Sequence, residues 1–256
     1  MRIIAFSDIH GNLPALEAVL AAVHGTPDLF LVAGDLVGFG PNPQEVLDLL
    51  RSHGCLFVKG NVDDFVADPS AMERFHSYAR EIIDSGMPFR LPFPLEVMSD
   101  NVAWTRMVLG SQLSFLASLP FSLLIEPVPR RGLKMVHANP QDMIRPIRLR
   151  MPEAELLEMT RGLDCEILVF GHHHIPFVKA LGTLQLVNVA SVGPSWDGQT
   201  AAAYTEINFD QDGWHIKQHR IDYDIPRTAA LIEHSSMPHK EALLRLLRTA
   251  RREPAR

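Results

Sequence analysis

The chain has 256 residues, enough for one large α/β domain or two small ones, and its 46% hydrophobic and 21% charged content suits a globular rather than a disordered protein. A net charge of −6 argues against the basic field that a nucleic-acid surface needs, so no stable nucleic-acid complex is expected. Two isolated cysteines, Cys55 and Cys165, make no disulfide framework. No apolar run reaches the roughly 20 residues of a membrane span, and the polar motif follows too soon after Met1 for a signal peptide; a cytoplasmic protein is expected.

Arg2–Phe6 reads as a buried strand, and Leu13–Val23 as a helix with Asn12 at its cap and Pro14 in its first turn. Asp28–Ala33 is a second strand. Pro43–His53 is a second helix with Val46, Leu47, Leu49 and Leu50 on one side, and Cys55–Val58 a third strand. This β-α-β-α-β rhythm predicts a largely parallel sheet with helices packed on it. Residues 64 to about 130 break the rhythm. Helix-prone, with Pro/Phe-rich turns at Pro88–Pro94 and Pro120–Pro129, they predict a helical insertion with Trp104, Phe115 and Leu116 in its core. Strands resume at Leu133–Val136, Glu166–Phe170, Leu184–Val189, Ala201–Phe209 and Trp214–Ile221, the last two joined by the turn signal Gln211-Asp212-Gly213. Helix Pro238–Arg252 follows, its Arg245, Arg248, Arg251 and Arg252, with Arg256 beyond, reading as a solvated face and tail. With no repeat and no linker, residues 1–256 are expected to form a single domain.

The chemistry sits where strands end. Phe6 runs into Ser7-Asp8-Ile9-His10-Gly11-Asn12, Ala33 into Gly34-Asp35, Val58 into Lys59-Gly60-Asn61, Val136 into His137, and Phe170 into Gly171-His172-His173-His174. Ligands of open α/β sheets collect at the carboxyl ends of strands, so Asp8, His10, Asp35, Asn61, His137, His172 and His174 should converge. That oxygen and nitrogen set, with no thiolate, suits Mn, Fe or Zn. It is too large for one ion and fits two ions about 3.5–4 Å apart sharing a carboxylate. Asp-x-His and His-x-His are each expected to aim two side chains one way through the pleat of an extended segment. The glycines beside them, Gly11, Gly34, Gly60 and Gly171, are expected to permit close backbone approach. Asp63 and Asp64 read as helix caps more than as orienters of Asn61. Ser191 lacks the Gly-x-Ser-x-Gly surroundings of a nucleophile.

These blocks resemble those of the calcineurin-like metallophosphoesterase superfamily, in the family's order (D-x-H, G-D, G-N-H-[DE], H, G-H-x-H). Gly34–Arg51 and Ser191-Val192-Gly193…Asp197-Gly198 are similar to its small prokaryotic phosphodiesterase branch. The resemblance implies a four-layer αββα sandwich of two mixed sheets flanked by helices. It also implies a dinuclear site, manganese favoured, that activates water for in-line attack on a phosphate ester. One ion would take Asp8, His10, Asp35 and His174, the other Asp35, Asn61, His137 and His172, with Asp35 as bridge. Asp35, Asn61 and Asn12 would serve catalysis, and Asn12, Ser191 and Gly193 would lie at the substrate. The substrate would be a small phosphate ester, nucleotide-like ones among the candidates, and a homo-oligomer is compatible with the family. Three departures stand out. Val62 occupies the place of the family's histidine, which protonates the leaving group or stabilises the transition state. Trp196 stands where an arginine is frequent, and His173 where a small hydroxyl residue is usual. Valine cannot donate a proton, so good leaving groups are expected to suffer least. A non-catalytic interaction module on this fold and a protein Ser/Thr phosphatase are the alternatives; the seven retained ligands argue against the first, Val62 and the insertion against the second.

Overall fold

Alternate side chains of the first strand enter different cores, and this alternation builds the layers. The computed structural model describes residues 1–85 and 91–251. In β1 (Arg2–Phe6), Ile3 and Ala5 face one cluster while Ile4 and Phe6 face another. Ile3 and Ala5 join Leu31 of β2 (Leu29–Val32) and Ile207 of β9 (Ala202–Asp210). Across from them lie Leu133 and Met135 of β5 (Leu133–Met135), Ile167 and Val169 of β6 (Ile167–Phe170) and Val187 of β8 (Leu184–Asn188), which closes an apolar seam between two sheets.

Among the described residues the strands form two five-stranded mixed sheets. The first runs β10-β9-β1-β2-β3, with β3 at Leu56–Phe57 and β10 at Gly213–Ile221; β1, β2 and β3 are parallel, whereas β9 is antiparallel to β1. The second runs β4-β5-β6-β8-β7, with antiparallel edges β4 (Leu123–Ile125) and β7 (Phe177–Leu181). Ile4, Phe6 and Val32 pack outward against α1 (Leu13–Ala22) and α2 (Pro43–Ser52), through Leu16, Val19, Val46, Leu47 and Leu50. Leu168 and Phe170 pack outward against Leu156 and Met159 of α7 (Glu153–Met159). Four layers result, helix, sheet, sheet, helix.

Between β3 and β4 stand α3 (Asn61–Ala67), α4 (Pro69–Asp84), α5 (Leu95–Leu109) and α6 (Leu113–Ser118). This is the predicted helical insertion, but its last part, Leu123–Ile125, is sheet. Three apolar residues between prolines are too few to show a period, and pairing with β5 decides them. The same shortness hid α7 and β7. The helix α8 (Ile225–His234) carries a start signal in its own residues: Asp224 accepts from Arg227 N, and Pro226 lies in its first turn. The largely parallel sheet expected from the chain rhythm is parallel only through β1–β3. Trp104 is buried as insertion core and donates to Ser236 Oγ. In α9 (Lys240–Thr249), Leu243, Leu246 and Leu247 face inward while Arg245 and Arg248 are exposed. Part of the Pro88–Pro94 turn, with Arg252 and Arg256, lies outside the described residues. No described helix is long and apolar enough to cross a membrane.

The inter-sheet seam predicts that Leu31→Ala, at a fully buried position, lowers the unfolding free energy by about 2–5 kcal/mol, read as an earlier urea midpoint at unchanged slope.

Candidate metal centre

The loops after β1 and β2 leave their sheet side by side. Asp8 N donates to Gly34 O, His10 N to Asp35 O and Gly11 N to Leu36 O, each at 3.0 Å. Asp8, His10, Asp35, His172 and His174 all have positive φ, between 51° and 62°. The Asp-x-His and His-x-His pairs therefore meet through left-handed turns beyond the strand ends, not through the pleat expected of an extended segment. Such turns are strained for residues with a Cβ. The ladder between the loops holds them, and so does close approach at glycines. A Cβ on Gly60 would lie 2.1 Å from Asp35 Oδ1, and one on Gly171 2.1 Å from Ser7 Oγ.

All seven predicted side chains come together. Asp8, His10 and His174 form one group of donor atoms within 4.8 Å of one another, and Asp35, His137 and His172 form a second. Asp35 Oδ2 lies 3.7 Å from His10 Nε2 and 3.5 Å from His137 Nε2, between the groups. Asn61 Oδ1 lies 2.9 Å from His137 Nε2. Each carboxylate is held by one oxygen. Asp8 Oδ2 accepts from Ser7 Oγ (2.5 Å) and His172 N (2.9 Å), and Asp35 Oδ1 accepts from Val62 N (2.9 Å). The other oxygens face imidazoles: Asp8 Oδ1 is 3.2 Å from His174 Nε2 yet buried without a well-directed hydrogen bond.

The imidazoles themselves test whether metals fit. His137 Nδ1 donates to Ala33 O (2.7 Å), His172 Nε2 to Ile144 O (2.8 Å) and His174 Nδ1 to Pro194 O (2.6 Å). A carbonyl only accepts, so each outer nitrogen carries the proton and the inner nitrogen presents a lone pair in the neutral ring. The inner nitrogens crowd one another: the lone pairs of His137 Nε2 and His172 Nδ1 are 3.1 Å apart, and that of His174 Nε2 is 3.3 Å from His10 Nε2. Acceptors turned on acceptors and carboxylates, in largely buried surroundings, fit a cation in each group. Burial and neighbouring His174 push the His10 imidazole down to about 3, and burial with His137 holds His172 well below its ordinary value. Burial, then Asp8 and Asp63, raise the Asp35 carboxyl; burial also acts upward on Asp8, where the histidines, His174 foremost, outweigh it and hold the group low.

The surrounding residues brace this arrangement. Asp63 caps α3 through Gly60 N (3.0 Å), and its other oxygen accepts from Leu36 N (2.9 Å) and Val37 N (3.3 Å). It thus ties the Asp35 loop to the Asn61 turn, more than the simple cap expected. Ser191 and Gly193, expected at the substrate, lie instead beneath the Asp8 loop: both Ser191 Oγ (2.8 Å) and Gly193 N (2.9 Å) donate to Asp8 O. A Cβ on Gly193 would sit 2.7 Å from Ile9 O. Asn12 is buried, caps α1 at Ala15 N, accepts from Thr228 Oγ1 and donates to Tyr223 Oη. Sequence reasoning missed the clamping carbonyls of Ala33, Ile144 and Pro194, since any residue supplies one. Trp196 stacks on His174, centroids 3.8 Å apart and 4° from parallel. Removal of His174 (His174→Ala) is expected to leave about one divalent ion per chain against about two in the parent protein, measured by metal analysis after dialysis.

The calcineurin-like phosphoesterase family profile matches residues 1–176. The uncharacterized protein MJ0912 of Methanocaldococcus jannaschii is 30% identical over 259 residues, covering 92% of this chain and 93% of its own. A metallophosphoesterase from Sphaerobacter thermophilus superposes with a TM-score of 0.73 at 26% identity, over 98% of this chain and 100% of that one. The hypothetical protein PH1004 from Pyrococcus horikoshii OT3 reaches 0.78 at 19% identity, over 98% and 99%, and shares the fold. Two clusters of metal-type donors at the strand ends, on this sandwich and with this profile match, establish that the chain belongs to the calcineurin-like phosphoesterase family.

Proposed function

We infer that this chain hydrolyses a small phosphate ester, a phosphodiester in preference to an alkyl monoester, using two divalent ions of which manganese is the leading candidate. The observation that supports this most is the set of imidazole tautomers, with three outer protons on carbonyls and three inner lone pairs turned into the two donor groups. Ions held there would acidify a water for attack on phosphorus and neutralise charge on the phosphoryl oxygens.

The chain's own residues set the rest. Asp35, fixed by Val62 N, is assigned the bridging position. Asn61, beside His137, is assigned to the second ion and the substrate oxygen next to it. Asn12, committed to α1, Thr228 and Tyr223, is assigned to hold the β1 loop in register with α8. Val62 is 3% exposed and lines the cavity over the centre where a proton donor would stand. A leaving group must then depart as its anion, which favours acidic alcohols. A diester, with one negative charge against two on a monoester, also costs less to move into apolar surroundings.

Purified protein with added Mn²⁺ is expected to release p-nitrophenolate from bis(p-nitrophenyl) phosphate, and Asp35→Asn to lose roughly 100-fold or more of that rate. No turnover with manganese, iron or zinc would overturn the reading, and faster turnover of a phosphopeptide would move the chain to the protein phosphatases. Val62→His is expected to raise turnover of esters with alkyl leaving groups by roughly tenfold or more, leaving p-nitrophenyl esters much less affected.

A further inference from the structure

Beside the paired carboxylates and imidazoles the chain leaves more room than a phosphate fills, and the room is apolar. The open pocket over the centre spans about 860 Å³, a figure that counts the solvent at its mouth and the gaps between wall atoms. Phe75 of α4, Met98 of α5, Phe93 between those helices and Leu246 of α9 wall it on the helical side. The apolar surface reaches the imidazoles themselves: Phe39 meets His10 edge-on at 5.6 Å and packs on Phe93 at 5.4 Å, while Trp196 covers His174. Beyond the metal-type donors, the charged side chain that the described residues contribute to this lining is Arg148, exposed at the rim. Apart from Asp35 and Asn61 of the metal-type floor, the described lining has no carboxylate, amide or hydroxyl side chain to meet a ribose or a base edge. A nucleoside seated against the helical walls would leave most of its polar groups unpaired, with Arg148 at the rim as the charged exception, whereas a ring or a hydrocarbon chain gains from leaving water.

We propose that this site selects phosphate esters whose second substituent is apolar, an aryl or alkyl group, over nucleoside esters. The proposal rests on the phosphoesterase reading above and adds to it the substrate class. The helical insertion and α9 supply the selectivity, since they carry the walls, while the strand-end loops carry the polar floor.

The test holds the leaving group constant. Methyl, phenyl, octyl and thymidine-5′ p-nitrophenyl phosphates are each hydrolysed with Mn²⁺-loaded protein. In each, water oxygen bonds to phosphorus, the bond to p-nitrophenolate breaks, and a proton passes to solvent. The expected result is a kcat/KM at least tenfold higher for the phenyl or octyl ester than for the methyl ester, about 1.4 kcal/mol, with the thymidine ester no better than methyl. Phenyl above octyl assigns a ring site, octyl above phenyl a chain site. Equal values, or the thymidine ester ahead, overturn the proposal. Met98→Gln, which keeps volume but adds an amide, is expected to shrink the apolar-to-methyl ratio; an unchanged ratio counts against the assigned wall. A binding measurement separates this proposal from the parent reading. Phenylphosphonate, which cannot be hydrolysed, is expected to perturb tryptophan fluorescence at concentrations tenfold or more below methylphosphonate. If no ester is hydrolysed, the phosphoesterase reading fails, and the phosphonates still decide the preference; equal binding overturns it.

Discussion

The rest of the site depends on one electrostatic constraint: imidazole nitrogens and carboxylate oxygens crowd one another in two largely buried groups. His137 Nε2 and His172 Nδ1 lie 3.1 Å apart with their protons committed elsewhere, to Ala33 O and Ile144 O. Asp35 Oδ2 is turned towards His10 and His137, and Asp8 Oδ1 towards His174. Acceptors held this close need a positive charge in their midst. Burial and neighbouring His174 oppose a proton on the His10 ring. Divalent cations meet the need.

Holding that arrangement takes more than the seven donors. Five of them sit at positive φ, which L residues avoid, so the loops must be held from outside. The ladder between the β1 and β2 loops does part of this, Asp63 ties Gly60 to Leu36 and Val37, and Ser191 with Gly193 supports the Asp8 carbonyl from below. The two sheets supply the rigidity, because the apolar seam between them leaves the strand ends little freedom. Glycines at 60 and 171 let the backbone pass within a distance that any Cβ would forbid.

Two departures from the family pattern point the same way. Val62 puts an isopropyl group where a proton donor is usual, and Trp196 puts an indole against His174 where a guanidinium is frequent. Each replaces a polar contact with an apolar one beside the centre, in line with the cavity walls that α4, α5 and α9 contribute. The second and smaller cavity, lined by Asn12, Thr228 and Leu243, shares His10, Phe39, Phe93, Pro194 and Leu246 with the first, so the apolar lining continues towards α8 and α9.

The amino-acid sequence by itself determined the donors, their order and their place after apolar strands, because a carboxylate or imidazole behind each β-prone run is visible without coordinates. It also determined helices with apolar stripes, such as α1 with its Asn12 cap, α2 and α9. Elements too short to show a period, β4, β7 and α7, became definite only once a neighbouring strand or sheet was there to pair with or cover. Tertiary structure alone decided which nitrogen of each histidine carries the proton, since the carbonyls of Ala33, Ile144 and Pro194 have no signature in sequence. It placed Ser191 under the Asp8 loop, and it assembled the apolar walls from residues as far apart as Phe39 and Leu246. The reason is physical: side-chain chemistry is a local property of the chain, but backbone acceptors and cavity walls acquire a role only when distant segments pack together.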